Sequence, residues 1–240
     1  MAAIAHAAVP CGAPWMHPGG QFVIESSSST HKFTFDVLSF DKKDNDHCNG
    51  TIRMTTVFNF HGQSMQSHNM LLMAISKGIA DLKLQQNTDS NVPGTAGVGT
   101  LQAQGLQQLN IFFSYAGEIQ QAGQKLPATN SNASLNNSAT VGESTRQMSI
   151  ANRTLETTER TVGPQETLDT VAGKLDCWPV RYDMKENSGD MTIQGHTTKG
   201  AETVTHVVDH FCPSVNLVMR KDLTTDDSES PISEIVTSIQ

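Results

Sequence analysis

Apolar and polar residues alternate along much of this chain with the two-residue period of half-buried strands. The clearest run is 32–40, Lys-Phe-Thr-Phe-Asp-Val-Leu-Ser-Phe, which sets Phe33, Phe35 and Val37 on one face. Residues 21–25, Gln-Phe-Val-Ile-Glu, predict a shorter strand across a serine-rich turn. The polar turn 41–46 leads into 51–60, a strong strand with Ile52 and Met54 on one face and a shift of phase from Val57 onward. His61-Gly62 closes it, 64–75 predicts the next strand, and Ile79 to Leu84 follows a turn at Ser76-Lys77-Gly78.

The pattern then lapses. Residues 85–105 are dominated by Gln, Asn, Thr and Gly, with Pro93-Gly94 and Gly97-Val98-Gly99, and read as a long flexible loop. Residues 106–122 fit either a helix or two short strands, and 123–150 a polar strand pair ending at Ile150. From Asn152 the strand signal is regular again. Arg153 to Val162 alternates weakly, 164–170 reads as a loop, and Lys174 to Met184 as a strand. Asn187-Ser-Gly-Asp190 has hairpin chemistry. Met191 to Thr197, Glu202 to Phe211, Val215 to Leu223 and Ile232 to Ile239 complete the series. Many short strands in sequence predict a mainly β protein, an antiparallel meander forming a rolled sheet or incomplete β-barrel.

Composition narrows the picture. Hydrophobic residues make up 37% of the 240, but aromatic residues only 5%, so the core is expected to be chiefly aliphatic. The net charge of −8, with no cluster of Lys or Arg, argues against nucleic acid as a partner. No apolar window reaches the ~18 residues of a membrane helix, so an integral membrane protein is not expected. Ala5-His6-Ala7 before Ala8-Val9-Pro10 has the small-x-small form of a signal-peptidase site, though the regions that should precede it are missing. Residues 1–10 therefore read as a signal-peptide remnant, with the native start upstream of Met1, or as a disordered tail. Residues 11–240 read as a single β domain.

The four cysteines are Cys11, Cys48, Cys177 and Cys212. Their even number, wide spacing and lack of a C-x-x-C fit disulfides better than zinc. Three connectivities are possible. We favour Cys11–Cys48 with Cys177–Cys212, one clip in each half; four buried free thiols in a reducing compartment are the alternative. The disulfide pattern and the cleavage-like segment together point to a periplasmic or secreted protein.

The succession Gly123-Gln-Lys-Leu-Pro127, Asn152-Arg153, Glu159, Val171-Ala172-Gly173-Lys174-Leu175-Asp176-Cys177 and Val215-Asn216-Leu217-Val218 resembles the TapB family. That family is similar to a larger set of bacterial envelope domains of unknown function. The resemblance covers 123–240 and is weaker over the N-terminal half. It implies an exported, β-rich protein, often a lipoprotein, with a rolled sheet resembling that of lipoprotein carriers. It supplies no catalytic residue. Relatives read Pro-Ala-Gly-Thr-Phe where this chain has Val171-Ala172-Gly173-Lys174-Leu175, and Gly-Val-Gly-Leu-Val where it has Ser214-Val215-Asn216-Leu217-Val218. Asn tolerates a left-handed backbone better than other non-glycine residues, so a corner at Asn216 can persist. The tryptophan usual before it is replaced by His210-Phe211-Cys212.

Chemistry-bearing residues are sparse. His206, Asp209 and His210 are the best cluster; on a strand the two histidines share a face and Asp209 points away. His61 and His68 have no carboxylate partner in sequence. Cys212 near His210 suggests a thiol hydrolase, which needs an unpaired thiolate beside a base. Four Asn-x-Ser/Thr matches, at Asn49, Asn132, Asn136 and Asn152, are expected by chance in so Asn- and Thr-rich a chain. No catalytic set, metal or cofactor is expected. The chain reads as a non-enzymatic envelope protein. It is either a binding or accessory module for an envelope or secreted protein, or a carrier of a lipid or other apolar ligand. The carrier's groove would be lined by Phe33, Phe35, Met54, Leu71 and Val180.

Two disulfides should survive in protein taken from an oxidising compartment. Unfolded but unreduced chain should take up no thiol-specific mass tag and reduced chain four, matching its four cysteines. Four tags without reductant would refute the exported reading.

Overall fold

In a computed structural model, the structure describes residues 10–27, 32–60, 63–76, 79–85, 115, 117–141, 144–193, 195–226 and 231–240. Nearly all of the expected tail at 1–10 and of the expected loop at 85–105 lies outside these residues. The described chain is built from strands: β1 (Gln21–Ser26), β2 (Lys32–Lys42), β3 (His47–Phe60), β4 (Gln63–Ser76) and β5 (Ile79–Gln85) in the first half. The second half contains β6 (Lys125–Leu126), β7 (Thr129–Val141), β8 (Ser144–Thr157), β9 (Arg160–Val162), β10 (Glu166–Thr170) and β11 (Gly173–Asn187). It ends with β12 (Asp190–Ile193), β13 (His196–Thr198), β14 (Glu202–Cys212), β15 (Leu217–Thr225) and β16 (Ile232–Ile239). All join one antiparallel sheet that is not closed into a barrel, with main order β13-β12-β8-β11-β14-β15-β16-β1-β2-β3-β4-β5.

Alternation explains the first half. Phe35 and Val37 on β2, Ile52 and Met54 on β3, and Leu71, Met73 and Ile75 on β4 point inward and are buried, whereas Leu72 between them is exposed. The inward residues of these strands and of β11, β14, β15 and β16 form one apolar cluster, so the rolled sheet packs its inner face on itself. The cluster includes a short aromatic stack. Phe35 lies face to face with Phe22, with centroids 4.5 Å apart, and Trp15 meets Phe22 edge-on at 5.0 Å.

The two halves meet at the β1–β16 ladder, which runs from Phe22↔Ile239 to Ser26↔Glu234. The segment before β1 strengthens this junction. The Trp15 indole donates to the Val215 carbonyl at 3.0 Å, and the Asn216 amide donates to the Pro10 carbonyl at 2.9 Å. Cys11 is bonded to Cys48 and Cys177 to Cys212, with Cα separations of 5.9 and 4.1 Å. The first pair ties the N-terminal segment to β3, and the second links neighbouring strands β11 and β14.

The second half differs from the sequence reading in three places. Residues 166–170 are not loop but β10, paired with β11 through a tight turn at Val171-Ala172. Residues 153–162 are not one strand, because the chain breaks between β8 and β9. The hairpin expected at Asn187–Asp190 is not a reversal. Asn187 pairs with Thr154 and Asp190 with Ala151, so β12 continues along β8 in unbroken register with β11. The chain turns back later, between Ile193 and His196, through Gly195 at φ 83°. The turn-like residues instead make a kink. Gly189 (φ 78°) faces the stretch of β8 that contains Asn152 (φ 58°), and a Cβ at Gly200 would lie 2.5 Å from the Gly189 carbonyl oxygen.

The corner at Asn216 is present, with φ 53°, and only 2% of the residue is exposed. Its side chain also donates to the Pro10 carbonyl, so the residue does more than supply the backbone conformation. Asn216→Gly keeps the backbone conformation but loses a buried hydrogen bond and should cost about 1 kcal/mol. Asn216→Val loses the same bond and adds left-handed strain at a β-branched residue, for roughly 2–4 kcal/mol. Thermal melts should rank wild type above Gly above Val. Val at or above Gly would mean that the corner does not hold.

Candidate functional site

Two polar clusters lie on opposite faces of the β11–β14–β15 region. Their placement follows from parity along β14. Val207, Asp209 and Phe211 point inward, and His206 and His210 outward, as the two-residue period requires.

The inner cluster centres on Asp209, which is fully buried. Its Oδ2 accepts hydrogen bonds from the Tyr115 hydroxyl at 2.6 Å and the Tyr182 hydroxyl at 2.9 Å. Its Oδ1 lies 3.9 Å from the ammonium Nζ of Lys221, the residue opposite it on β15. Arg160, itself buried, stacks over the Tyr115 ring at 5.3 Å and reaches Glu118 at 4.0 Å. Burial pushes the Asp209 carboxyl above its ordinary range, against the pull of Lys221 and the two hydroxyls. Burial first, and then the nearby Asp209 charge, push both tyrosines well above the ordinary phenol range, so each remains a hydrogen-bond donor. Burial likewise raises Glu118, with Arg160 opposing.

The outer cluster crosses five strands. His210 is only 11% exposed and places Nδ1 2.6 Å from Glu166 on β10 and Nε2 3.2 Å from Asp222 on β15. Asp222 also accepts from Arg220 at 2.8 Å and from the Ser233 hydroxyl of β16 at 2.6 Å. His206, half exposed, stands between Asp183 on β11 at 2.7 Å and Asp226 at 3.0 Å. Hydrogen bonds to Asp183 and then Asp226 raise the His206 pKa. Partial burial alone would raise Asp222, but hydrogen bonds from Arg220 and Ser233 outweigh it and hold the carboxyl below its ordinary range. With both ring nitrogens facing carboxylates, these histidines are arranged as bridges between strands. Among the described residues no group of His, Cys, Asp and Glu has the arrangement of a metal site.

The remaining candidates fall elsewhere. Phe35, Met54, Leu71 and Val180 are at most 2% exposed and lie in the core, with Phe33 packed against it. A separate open hollow of about 480 Å³ lies over outward-facing rows of β2 to β5, between Ser39, Asp41, Leu72, Asp81 and Lys83. None of the five groove residues lines it. Cys212 is bonded to Cys177, so the thiolate that a Cys–His hydrolase requires is not available. His68 bonds Thr55, at 3.0 Å, and His61 lies outside the described residues. Sequence reasoning missed Tyr115, Tyr182, Arg160 and Lys221 as members of one cluster. Its one available signal was a lone charged residue, Lys221, at an inward position of an apolar strand.

The outer cluster makes stability depend on pH at both ends. A histidine with a raised pKa stabilises fully below about pH 6.5 and loses that contribution as pH rises through the raised value. The melting advantage of wild type over His206→Gln should therefore be largest in mild acid and shrink above neutrality. A carboxylate with a lowered pKa acts in the opposite sense. The Asp222 contribution is present above about pH 4 and is lost as pH falls through the lowered value. A His206→Gln penalty that is flat with pH would mean that the two carboxylate contacts do not form.

Residues 106–203 match the DUF3108-like family model. No curated protein matches the chain. Among solved structures, a protein described as exported, with a YmcC-like fold, from Bacteroides fragilis is 11% identical. The match covers 95% of this chain and 100% of that one, with a TM-score of 0.50. A protein described as a lipoprotein from Parabacteroides distasonis is 8% identical, with 98% and 100% coverage and a TM-score of 0.44. The hypothetical lipoprotein YmcC from Escherichia coli is also 8% identical, with 93% and 88% coverage and a TM-score of 0.29. The chain is thus similar to the DUF3108-like family over its middle, and its sheet resembles the YmcC-like fold.

Proposed function

We propose that this chain is an exported, non-enzymatic component of a bacterial envelope, a TapB-like binding or accessory module that engages another envelope or secreted protein. The observation that carries this reading is the packed interior. Phe35, Leu71 and Val180 are 0% exposed and Met54 2%. Recognition then falls to the outer faces, where the hollow between β2 and β5 joins exposed Leu72 to the charged rim of Asp41, Asp81 and Lys83. Two disulfides suit an oxidising compartment. Among the described residues no helix is long and apolar enough to cross a membrane.

The carrier reading competes with this one because a rolled, unclosed sheet has the shape that could part around a lipid. It requires Phe33, Phe35, Met54, Leu71 and Val180 to separate. Native mass spectrometry of protein purified from its own envelope distinguishes the two. The module reading expects the bare chain or a stoichiometric protein complex. A retained lipid or other apolar ligand, displaced by Leu71→Trp, would overturn it in favour of the carrier.

A further inference from the structure

We propose that Asp209 and Lys221 are joined by an intramolecular isopeptide bond, a covalent cross-link between β14 and β15. The two residues face one another directly across the β14–β15 ladder. Lys221 Nζ lies 3.9 Å from Asp209 Oδ1, the oxygen that would leave, with the side chains 5% and 0% exposed.

The two carboxylate oxygens of Asp209 have different surroundings, and the difference matches the reaction. Oδ2 takes both hydroxyl donors, Tyr115 at 2.6 Å and Tyr182 at 2.9 Å. Oδ1 is buried, has no hydrogen-bond partner among the described residues, and faces the lysine. In the reaction a proton passes from the ammonium to the carboxylate, giving an amine and a carboxylic acid. The amine lone pair then attacks Cγ. The new C–N bond forms as charge develops on Oδ2, where two fixed hydroxyl donors stabilise it as an oxyanion hole does. Oδ1 leaves as water with two protons, and the C–O bond breaks as the carbonyl re-forms at Oδ2. Ammonium and carboxylate become amide and water, with no oxidant, reductant or second substrate.

Burial favours the product. In bulk water such a condensation is opposed by solvent and by ionisation of both partners. Here the inward-facing neighbours are Val207, Phe211 and, across β11, Val180, each at most 1% exposed. A neutral amide also removes two buried charges whose desolvation the ion pair repays only with good geometry. A 3.9 Å contact is long for a charge-assisted hydrogen bond, and the amide needs no such contact.

The test is the intact mass of the full wild-type chain, unfolded and with both disulfides reduced. The expected mass is one water below that of the sequence. Proteolysis should yield a branched peptide joining the Asp209 and Lys221 segments, and an amine-reactive label on the unfolded chain should miss Lys221. Lys221→Arg, whose guanidinium does not acylate, should restore the full mass. The proposal is overturned by a wild-type chain of full mass whose Lys221 takes the label. It is also overturned by a deficit that persists in Lys221→Arg, which would place the lost water elsewhere. The wild-type measurements decide the matter even if the variant does not fold.

Discussion

Everything in this fold depends on the ladder between β1 and β16, because it is where strands from the two ends of the chain become one sheet. Its partners are separated by more than 200 residues, as the Ser27–Ser233 contact beside it illustrates (206 apart). Such a pairing forms only after the chain between its strands has been brought together, and the entropy of that closure precedes any reward from the contact. The surrounding features offset this cost. The Trp15–Val215 and Asn216–Pro10 bonds connect the same two regions, and Cys11–Cys48 prevents the N-terminal segment from drifting from β3. Trp15, Phe22 and Phe35 fill the space beneath with a stack of three rings.

The first half was legible in the sequence because its strands each bury one face. Phe33-x-Phe35-x-Val37 and Ile52-x-Met54 show the period directly, and the register follows from it. The second half was less legible for identifiable reasons. Asn187-Ser-Gly-Asp190 carries the residues of a reversing turn, but those residues also suit a kink where two long strands must bend together. Only the pairing of Asp190 with Ala151 separates the two uses. Glu166 to Thr170 alternates too weakly to read as a strand; its hydrogen bonds come from β11 rather than from burial. Asn216 was visible because a left-handed corner restricts residue type locally, whereas its bond to Pro10 is a contact that no local pattern encodes.

The same division applies to the site. The outward pairing of His206 with His210, and the inward turn of Asp209, follow from strand parity alone. The partners do not. Tyr115, Tyr182, Arg160 and Lys221 approach Asp209 from four separate parts of the chain, and their convergence depends on the sheet's curl and on cross-strand register. The groove residues show the converse. Apolar residues on one face of a strand read alike whether they line a cavity or fill a core, because periodicity reports the face and not the volume enclosed.

A buried carboxylate and lysine in a small apolar core call for an explanation in terms of specificity. Isolated, either charge would cost several kcal/mol, and hydrophobic residues of similar volume would often serve stability as well or better. What the pair adds, before any bond joins it, is discrimination between registers. Slipping β15 by one residue against β14 would turn Lys221 to the outside and leave Asp209 with a neighbour unable to meet its charge. The ladder beside the pair needs such a constraint, since it already contains a bulge between His210 and Phe211. On the outer face the His210–Asp222 contact opposes the same slip, with Glu166 holding the histidine and Ser233 the carboxylate. Strands next to the closing ladder are thus fixed from both sides by polar contacts that only one register can satisfy.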